Sequence, residues 1–453
     1  MDGNLGLSKE FIANLEKKLH YSLDDLYYDE TNEFDIKFGA NYNDTQGKTA
    51  YKTDANKAKS PELRKLAELI CIEAITNQAT DIRILKVNED LGIVRLRKGT
   101  EMIPYRKLHG GSLDALAVVF KDFANANIEE KFNGQAGRFT IKVDGVKYDI
   151  RASFMPTVFG ENISLRLLYS QNLESDISKL GLPEYVLNSF NTVLNLSEGL
   201  ILLTGGTGSG KTTTMYTGIN QIMANSNGTK NVITIENPVE YIIEGAVQSQ
   251  VNNLRGYTFA KGLQTALRQN PDIILVGEIN DSETAQTAVR ASTSGHLVFS
   301  TLHTNDVLSV AQAMEHYGVN SLQLSWALQL VINQKLENKL CPHCRIQKLT
   351  LPEEMAWINS LGMSRHLINV FKRNPDGCDK CNYYGYYGRV LICSMLDAND
   401  TYTRLAMENL PLVQLENQLI NDDSARYYTL KQDVFRHLEA GTIDLITAKS
   451  ILR

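Results

Sequence analysis

One segment constrains this chain more than any other. The apolar run LILLT leads directly into Gly205-Gly206-Thr207-Gly208-Ser209-Gly210-Lys211-Thr212, followed by Thr213 and helix-forming residues. The pattern fits G-x-x-x-x-G-K-[ST], with the strand and helix that the motif requires on its two sides. Glycines let the backbone curl until successive amides point at one spot, and the helix start adds the positive end of its dipole. Such a loop holds phosphate. Lys211 is placed to neutralise the β and γ phosphates and the Thr212 hydroxyl to help hold Mg²⁺. The expected ATP-binding residues are therefore Gly205, Gly206, Thr207, Gly208, Ser209, Gly210, Lys211, Thr212 and Thr213.

The loop needs a sheet behind it, and the sequence supplies one. Fully apolar strands (LILLT, VITI, DIILV, HLVFSTL) alternate with helical stretches from Gly199 to about Leu340, as a parallel sheet covered on both faces requires. Ligands of such sheets sit beyond the carboxyl ends of the strands. That rule sorts the polar residues. Asp272 begins a strand and Glu278 follows its end, roughly 20 Å away at about 3.3 Å per residue, so Glu278 is expected to position the attacking water and Asp272 to be structural. By the same argument VITI delivers Glu236, with Asn237, Pro238 and Glu240 just beyond, and His303 lies at the ligand end of its strand while His296 lies at the far end.

The other segments have different patterns. Residues 1–59 are polar and aromatic-spotted, with a short helix near Lys9 to Leu19, and read as a docking segment and linker. Ser60-Pro61-Glu62 is a helix start, and Leu63, Leu66, Ala67, Ile70 and Ala74 recur at helical spacing, with Cys71 as a small buried residue among them. Short strands (DIRILKV, GIVRLRK, RFTIKVDG, YDIRASF, ENISLRLL) and a helix around Leu113 to Ala126 make 60–172 an α+β domain. Residues 173–198 read as linker and helix, 199–340 as the ATPase domain, 341–395 as a cysteine-bearing subdomain and 396–453 as a helical region.

Of the six cysteines, four form the pairs Cys341-Pro-His-Cys344 and Cys378-Asp-Lys-Cys381. Two tight turns, each offering two thiolates, complete a tetrahedral site, with Zn²⁺ favoured over mononuclear iron because a structural ion needs no redox partner. His343 reads as a bystander and Cys393 as buried. A closed Cys₄ shell leaves no position for catalysis. Overall, 46 Lys+Arg against 52 Asp+Glu give a net charge of −6, which speaks against a protein that coats nucleic acid. No run of about 18 apolar residues occurs and the start lacks an export-signal pattern, so the expected location is the cytoplasm, with the membrane met only through partners.

Taken together these residues resemble the secretion ATPase superfamily, specifically the assembly ATPases of bacterial type II secretion and type IV pili. The resemblance covers about Ala79 to Arg389 and continues more weakly to the end. It is carried by GLILLTGGTGSGKTTTMY, by ITIENPVEY like the family's Asp box, by LRQNPDIILVGEI like its Walker B and by SGHLVFSTLHTND like its His box. QAGRFTI, DIRASFMPTVFGENISLRLL and the tetracysteine unit with GYYGR also match. The resemblance implies an α/β fold: a RecA-like ATPase domain with a parallel sheet, preceded by a smaller α+β (PAS-like) domain and followed by the metal subdomain and C-terminal helices.

It also implies a homohexamer in which the N-terminal domain of one subunit closes over its neighbour's nucleotide. Arg151 and Arg166 would then reach toward the phosphates, and Arg268, Arg290 and Arg389 match further family arginines. The implied function is a cytoplasmic ATPase, peripheral to the inner membrane, that powers pilus or pseudopilus assembly through a membrane platform protein docked by the N-terminal segment. A retraction motor, a nucleic-acid translocase or conjugation ATPase, and a nucleotide-binding scaffold with little turnover are the alternatives. Three departures stand out. Glu236-Asn237-Pro238 replaces Glu-Asp-Pro, GEIND with Asn280 replaces GEIRD, and NQKLENKL stands where family members carry an arginine-rich helix. They bear on turnover and subunit coupling more than on nucleotide binding.

Overall fold

The computed structural model describes residues 61–452 apart from 100, 144, 169–175, 362–368, 382, 399–401, 403–407, 409 and 423. The expected docking segment 1–59, its helix near Lys9 to Leu19, and Ser60 lie outside the described residues. The described residues form two compact units, one comprising those before 173 together with Pro375–Gly385, the other the rest.

In the first unit six strands form an antiparallel sheet: β1 (Asp81–Lys86), β2 (Leu91–Lys98), β3 (Glu101–His109), β4 (Gln135–Val143), β5 (Val146–Thr157) and β6 (Gly160–Leu168), in the order β3-β2-β1-β6-β5-β4. Alternation decides the faces. Ile150, Ala152 and Phe154 of β5 and Ile163, Leu165 and Leu167 of β6 are buried, because successive side chains of a strand point to opposite sides. They pack with Ala67, Ile70, Cys71 and Ala74 of the helix Pro61–Thr76 and Leu116, Val119 and Phe120 of the helix Gly110–Phe123. Cys71 is the small core residue expected, its thiol pushed up mainly by burial. Strand β3 was not foreseen, since EMIPYRKLH contains a proline. It runs at the sheet edge, and the β2–β3 register shifts where Arg95 meets Pro104, the place where a strand tolerates a missing amide.

The second unit is built on an eight-stranded sheet. Its strands are β7 (Gly199–Thr204), β8 (Val232–Glu236), β9 (Val247–Gln250), β10 (Ile273–Val276), β11 (Leu297–Leu302), β12 (Leu328–Leu340), β15 (Tyr386–Asp397) and β16 (Tyr427–Tyr428). Between β12 and β15 the chain makes a separate hairpin of β13 (Ile346–Leu349) and β14 (Asn369–Lys372). The order is β16-β15-β12-β7-β11-β10-β8-β9, parallel from β12 to β9 and antiparallel at β15 and β16.

Both faces of the central strands are covered. Leu200, Leu202, Ile274, Val276 and Val298 face the helices Phe259–Ala266 and Ser282–Ser292, whereas Ile201, Leu203, Ile273, Leu275 and Phe299 face the helices Glu184–Val193 and Lys211–Asn225. This is why the strands read as unbroken apolar runs. Phe299 is fully buried, and truncating a residue of that kind to alanine removes about 3–5 kcal/mol.

NQKLENKL requires a correction. It does not form a helix but the second half of β12, paired with β15 from Gln334↔Cys393 to Leu340↔Tyr386. Its two apolar residues, Leu336 and Leu340, stand four apart, so the strand form is imposed by the pairing with β15 and not by a two-residue alternation. Cys393 sits buried in β15. The C-terminal helices run over Leu412–Asn421, Leu430–Glu439 and Leu445–Ile451, and the Asp444 carboxylate caps the last by accepting from Thr447 N.

Candidate nucleotide and metal sites

The parallel strands bring four of the expected residues to one edge of the sheet. The ends of β7, β8, β10 and β11 are in register, with Thr204 opposite Leu302, and Val276 opposite both Ile235 and Ser300. Glu236 closes β8, and just beyond the other three ends follow Gly205, Glu278 and His303. Backbone bonds extend the order past the strands, from Gly277 N to Ile235 O (2.8 Å) and from Ile279 N to Thr301 O (3.0 Å), so the Glu278 peptide is clamped between β8 and β11. Asp272 and His296 lie at the opposite ends of their strands. The Asp272 carboxylate accepts from Asn231 N at 2.8 Å and Lys230 Nζ at 3.2 Å, and these bonds, the backbone one first, hold it below the usual range.

The phosphate loop is shaped by its surroundings. Gly205 has φ 128°, and a Cβ there would stand 2.3 Å from the Gln334 carbonyl oxygen, so only glycine lets the loop pass β12. Gly210, at φ 93°, precedes the helix Lys211–Asn225, whose first amides lack intrahelical partners and point outward. Lys211 Nζ folds over the loop and donates to the carbonyls of Gly205 (2.7 Å) and Gly206 (2.9 Å). Burial lowers its pKa, and the charges of Glu278 and then Glu240 oppose that shift. Ser209 Oγ is buried without a hydrogen-bond partner, an orphan that a bound phosphate oxygen would satisfy. The loop thus fits ATP. Thr212 lies on the first turn of the helix and is partly exposed, so its hydroxyl could hold Mg²⁺.

Two acidic residues at this edge have different environments. Glu278 Oε1 accepts from Asn280 Nδ2 at 3.0 Å, and Oε2 lies 3.6 Å from His303 Nε2, with both side chains partly open to solvent. Glu236 is turned inward, 4% exposed, where it accepts from Tyr216, from Thr234 Oγ1 at 2.5 Å and from Gln248 Nε2 at 3.2 Å. Burial raises its pKa.

A buried polar layer behind the loop was missed by sequence reasoning. Asn333 Nδ2 donates to Thr204 Oγ1 (2.9 Å) and Thr304 O (3.3 Å), and Gln334 Nε2 donates to Thr214 Oγ1 (2.8 Å). The available signal was an Asn-Gln pair directly after the apolar LVI of β12.

Arg151 and Arg166 belong to the first unit and lie directly opposite each other on β5 and β6. Because Ile150 and Ala152 face the core, Arg151 points to the face without helices. Arg138 is its opposite number on β4, and Asp81 and Arg97 continue the row on β1 and β2. Arg166 pairs with Asp81 at 3.0 Å. Of the other arginines matched, Arg268 lies on the short turn Leu267–Gln269, Arg290 donates to Thr287, and Arg389 stands opposite Asn338.

The Sγ atoms of Cys341, Cys344, Cys378 and Cys381 lie within 4.8 Å of one another, and none of the four is in a disulfide. Four thiolates about 2.3 Å from one ion would stand about 3.8 Å apart, and Cys378 and Cys381 are 3.7 Å apart. The Cys381 sulfur accepts from the amides of Cys378 and Gly385, each at 3.2 Å, the kind of bond that steadies a metal-bound thiolate. The set fits Zn²⁺.

Fold and loop define a P-loop nucleotide-binding protein with a second, α+β unit. The match to the family model of type II/IV secretion system proteins over residues 56–442 places the chain in that family. It is 38% identical over 337 residues to the type II secretion system protein E of Dickeya dadantii, covering 74% of this chain and 66% of the relative. It is 38% identical over 338 residues to the type IV pilus assembly ATPase PilB of Thermus thermophilus, covering 74% and 37%. The matches therefore span just under two thirds of the first relative and little more than a third of the second. Among solved structures the pilus retraction motor PilT with bound ADP is similar at TM-score 0.55 and 28% identity, covering 85% of this chain and 96% of that one.

Proposed function

We propose that this protein is an ATPase that powers the assembly of a type IV pilus or a type II secretion pseudopilus, working as a homohexamer on an inner-membrane platform protein from the cytoplasmic side. The observation that carries the ATPase reading is the convergence of the phosphate loop, Glu278 and His303 on one sheet edge, with Lys211 bonded to the loop carbonyls. The relatives named for secretion and for pilus assembly support the cargo, and the cysteine cluster favours assembly over retraction. Among the described residues no helix is long and apolar enough to cross a membrane. The domain limits 60–172, 199–340, 341–395 and 396–453 are part of this proposal.

In this reading Lys211 leaves the Gly205 and Gly206 carbonyls and binds the β and γ phosphates, while the amides of Gly208 to Thr213 cradle them. The Thr212 hydroxyl would hold Mg²⁺, which when bound would neutralise part of the phosphate charge. Glu278 orients the attacking water and takes its proton, with His303 beside its Oε2 and Asn280 on Oε1. Arg151 and Arg166, brought by a neighbouring subunit, stabilise charge on the transferring phosphoryl group.

The deciding experiment is Mg²⁺-dependent ATP hydrolysis on size-separated monomer and ring fractions, with wild type beside Arg151→Ala and Glu278→Gln. Turnover confined to rings and lost in both variants is the expected result. Full activity in monomer, or in Arg151→Ala, rejects the shared site.

A further inference from the structure

The phosphate loop is joined to the segment beyond Glu236 by one phenol. Tyr216, on the helix that begins with Lys211, is completely buried. Its hydroxyl donates to Glu236 Oε2 and meets the backbone amides of Glu240 and Tyr241, while its ring packs edge-on against Tyr241 with centroids 5.9 Å apart. Glu236 Oε1 is taken by Thr234 and Gln248. Gln248 in turn donates to Tyr241 O at 2.9 Å and accepts from Ile243 N at 2.7 Å. Helix, β8, β9 and the segment from Glu240 to Ile243 are thereby held by one buried network.

A phenylalanine would fill the same space, so packing alone does not call for the hydroxyl. Burying a hydroxyl and a carboxylate is unfavourable unless each is bonded, and a fully bonded network fixes one arrangement. Glu240, on the segment so fixed, is the second carboxylate whose charge acts on Lys211, after Glu278.

We propose that Tyr216 is a positioning residue for ATP turnover: acting with Glu236 from the phosphate-loop helix, it ties that helix to the end of β8, whose Ile235 carbonyl holds the Gly277 amide next to Glu278, and to the segment from Glu240 to Ile243. Displacement of the loop around phosphate is then passed through Tyr216 to the end of β8 and the segment that follows it. The proposal rests on the reading of this site as one that hydrolyses ATP.

The test is steady-state ATP hydrolysis by the full chain carrying Tyr216→Phe, Glu236→Gln or both, with binding of a non-hydrolysable ATP analogue and thermal melting recorded in parallel. Tyr216→Phe keeps the ring and Glu236→Gln the shape, so both should fold. A misplaced group costs turnover rather than binding. The expected result is a kcat lower by about tenfold or more with KM and analogue affinity within about twofold. The double variant should be no worse than the weaker single one, because the two residues act as a unit. Unchanged kcat per folded molecule, a raised KM at constant kcat, or losses that multiply in the double variant would each overturn the proposal. Loss in Glu278→Gln with full activity in Tyr216→Phe overturns it while leaving the ATPase reading intact. Absence of wild-type turnover removes both.

Discussion

Arg151 and Arg166 face each other directly across β5 and β6, and Arg138 continues the row on β4. Like charges directly opposite in a sheet disfavour folding. Asp81 relieves Arg166 and Asp149 relieves Arg138 at 2.8 Å, yet the row as a whole stays rich in cations. A sheet face of this kind matches an anionic ligand.

Arg151→Gln should therefore lower ATP turnover by about 10²–10³, the range found when a donor to developing charge is removed. Arg151→Lys should recover part of it, because charge survives while the guanidinium fork is lost. Rates on assembled protein, with circular dichroism to confirm folding, check this. Equal activity in Gln and wild type would reduce the row to surface charge.

Glu278→Gln keeps size and polarity but not the ability to take a proton. A drop of about 10²–10⁴ in kcat is expected, with binding of an ATP analogue retained, since Lys211 and the loop are untouched. His303→Ala should cost far less, because at 3.6 Å from Glu278 Oε2 it assists rather than replaces the carboxylate. A larger loss in His303→Ala than in Glu278→Gln would exchange their roles.

Local rules reached far into this fold and stopped at identifiable places. The loop was readable from its glycine-lysine pattern, and the strands LILLT, VITI and LVFSTL because burial on both faces leaves mostly apolar residues. Strand β3 was hidden by Pro104, which only an edge position excuses. The strand form of NQKLENKL was hidden for another reason: it is set by pairing with β15, 46 to 61 residues later, and short-range spacing carries no trace of such a partner. The site behaved likewise. Strand ends placed Glu278 and Glu236 at the same edge, but whether a carboxylate opens to ligand or turns inward depends on Tyr216 and Gln248, which come from other elements. Asn333 and Gln334 were invisible as site residues until the sheet order set β12 beside β7.

Metal removal should act on stability. The purified protein is expected to carry one zinc per chain by elemental analysis, and Cys381→Ser, which removes the sulfur that accepts two amides, should lose it and melt lower. Cys393→Ser should retain the metal, since Cys393 is a buried strand residue outside the cluster. Wild-type protein with no zinc and no sensitivity to a chelator would contradict the assignment.

His437 provides a pH test. It is buried with Nδ1 2.8 Å from Thr442 Oγ1 and Nε2 3.0 Å from Leu391 O, within a cluster that includes Asp433 at 3.8 Å and Arg436. Burial lowers its pKa from 6.5, Asp433 opposes the shift, and Arg436 and Lys339 add to it. The unfolded chain then binds a proton at higher pH than the folded one, so folding loses stability as pH falls below 6.5 and the loss is complete only below the folded value. His437→Gln removes this term. At pH 7.5 the variant should be less stable by about 1–2 kcal/mol for the altered hydrogen bonds, and the gap should narrow as pH falls toward 5.5. Denaturant melts at the two pH values decide it: a gap that stays constant would mean that the His437 pKa does not change on folding, and a gap that widens would mean that His437 is held charged in the folded protein by Asp433.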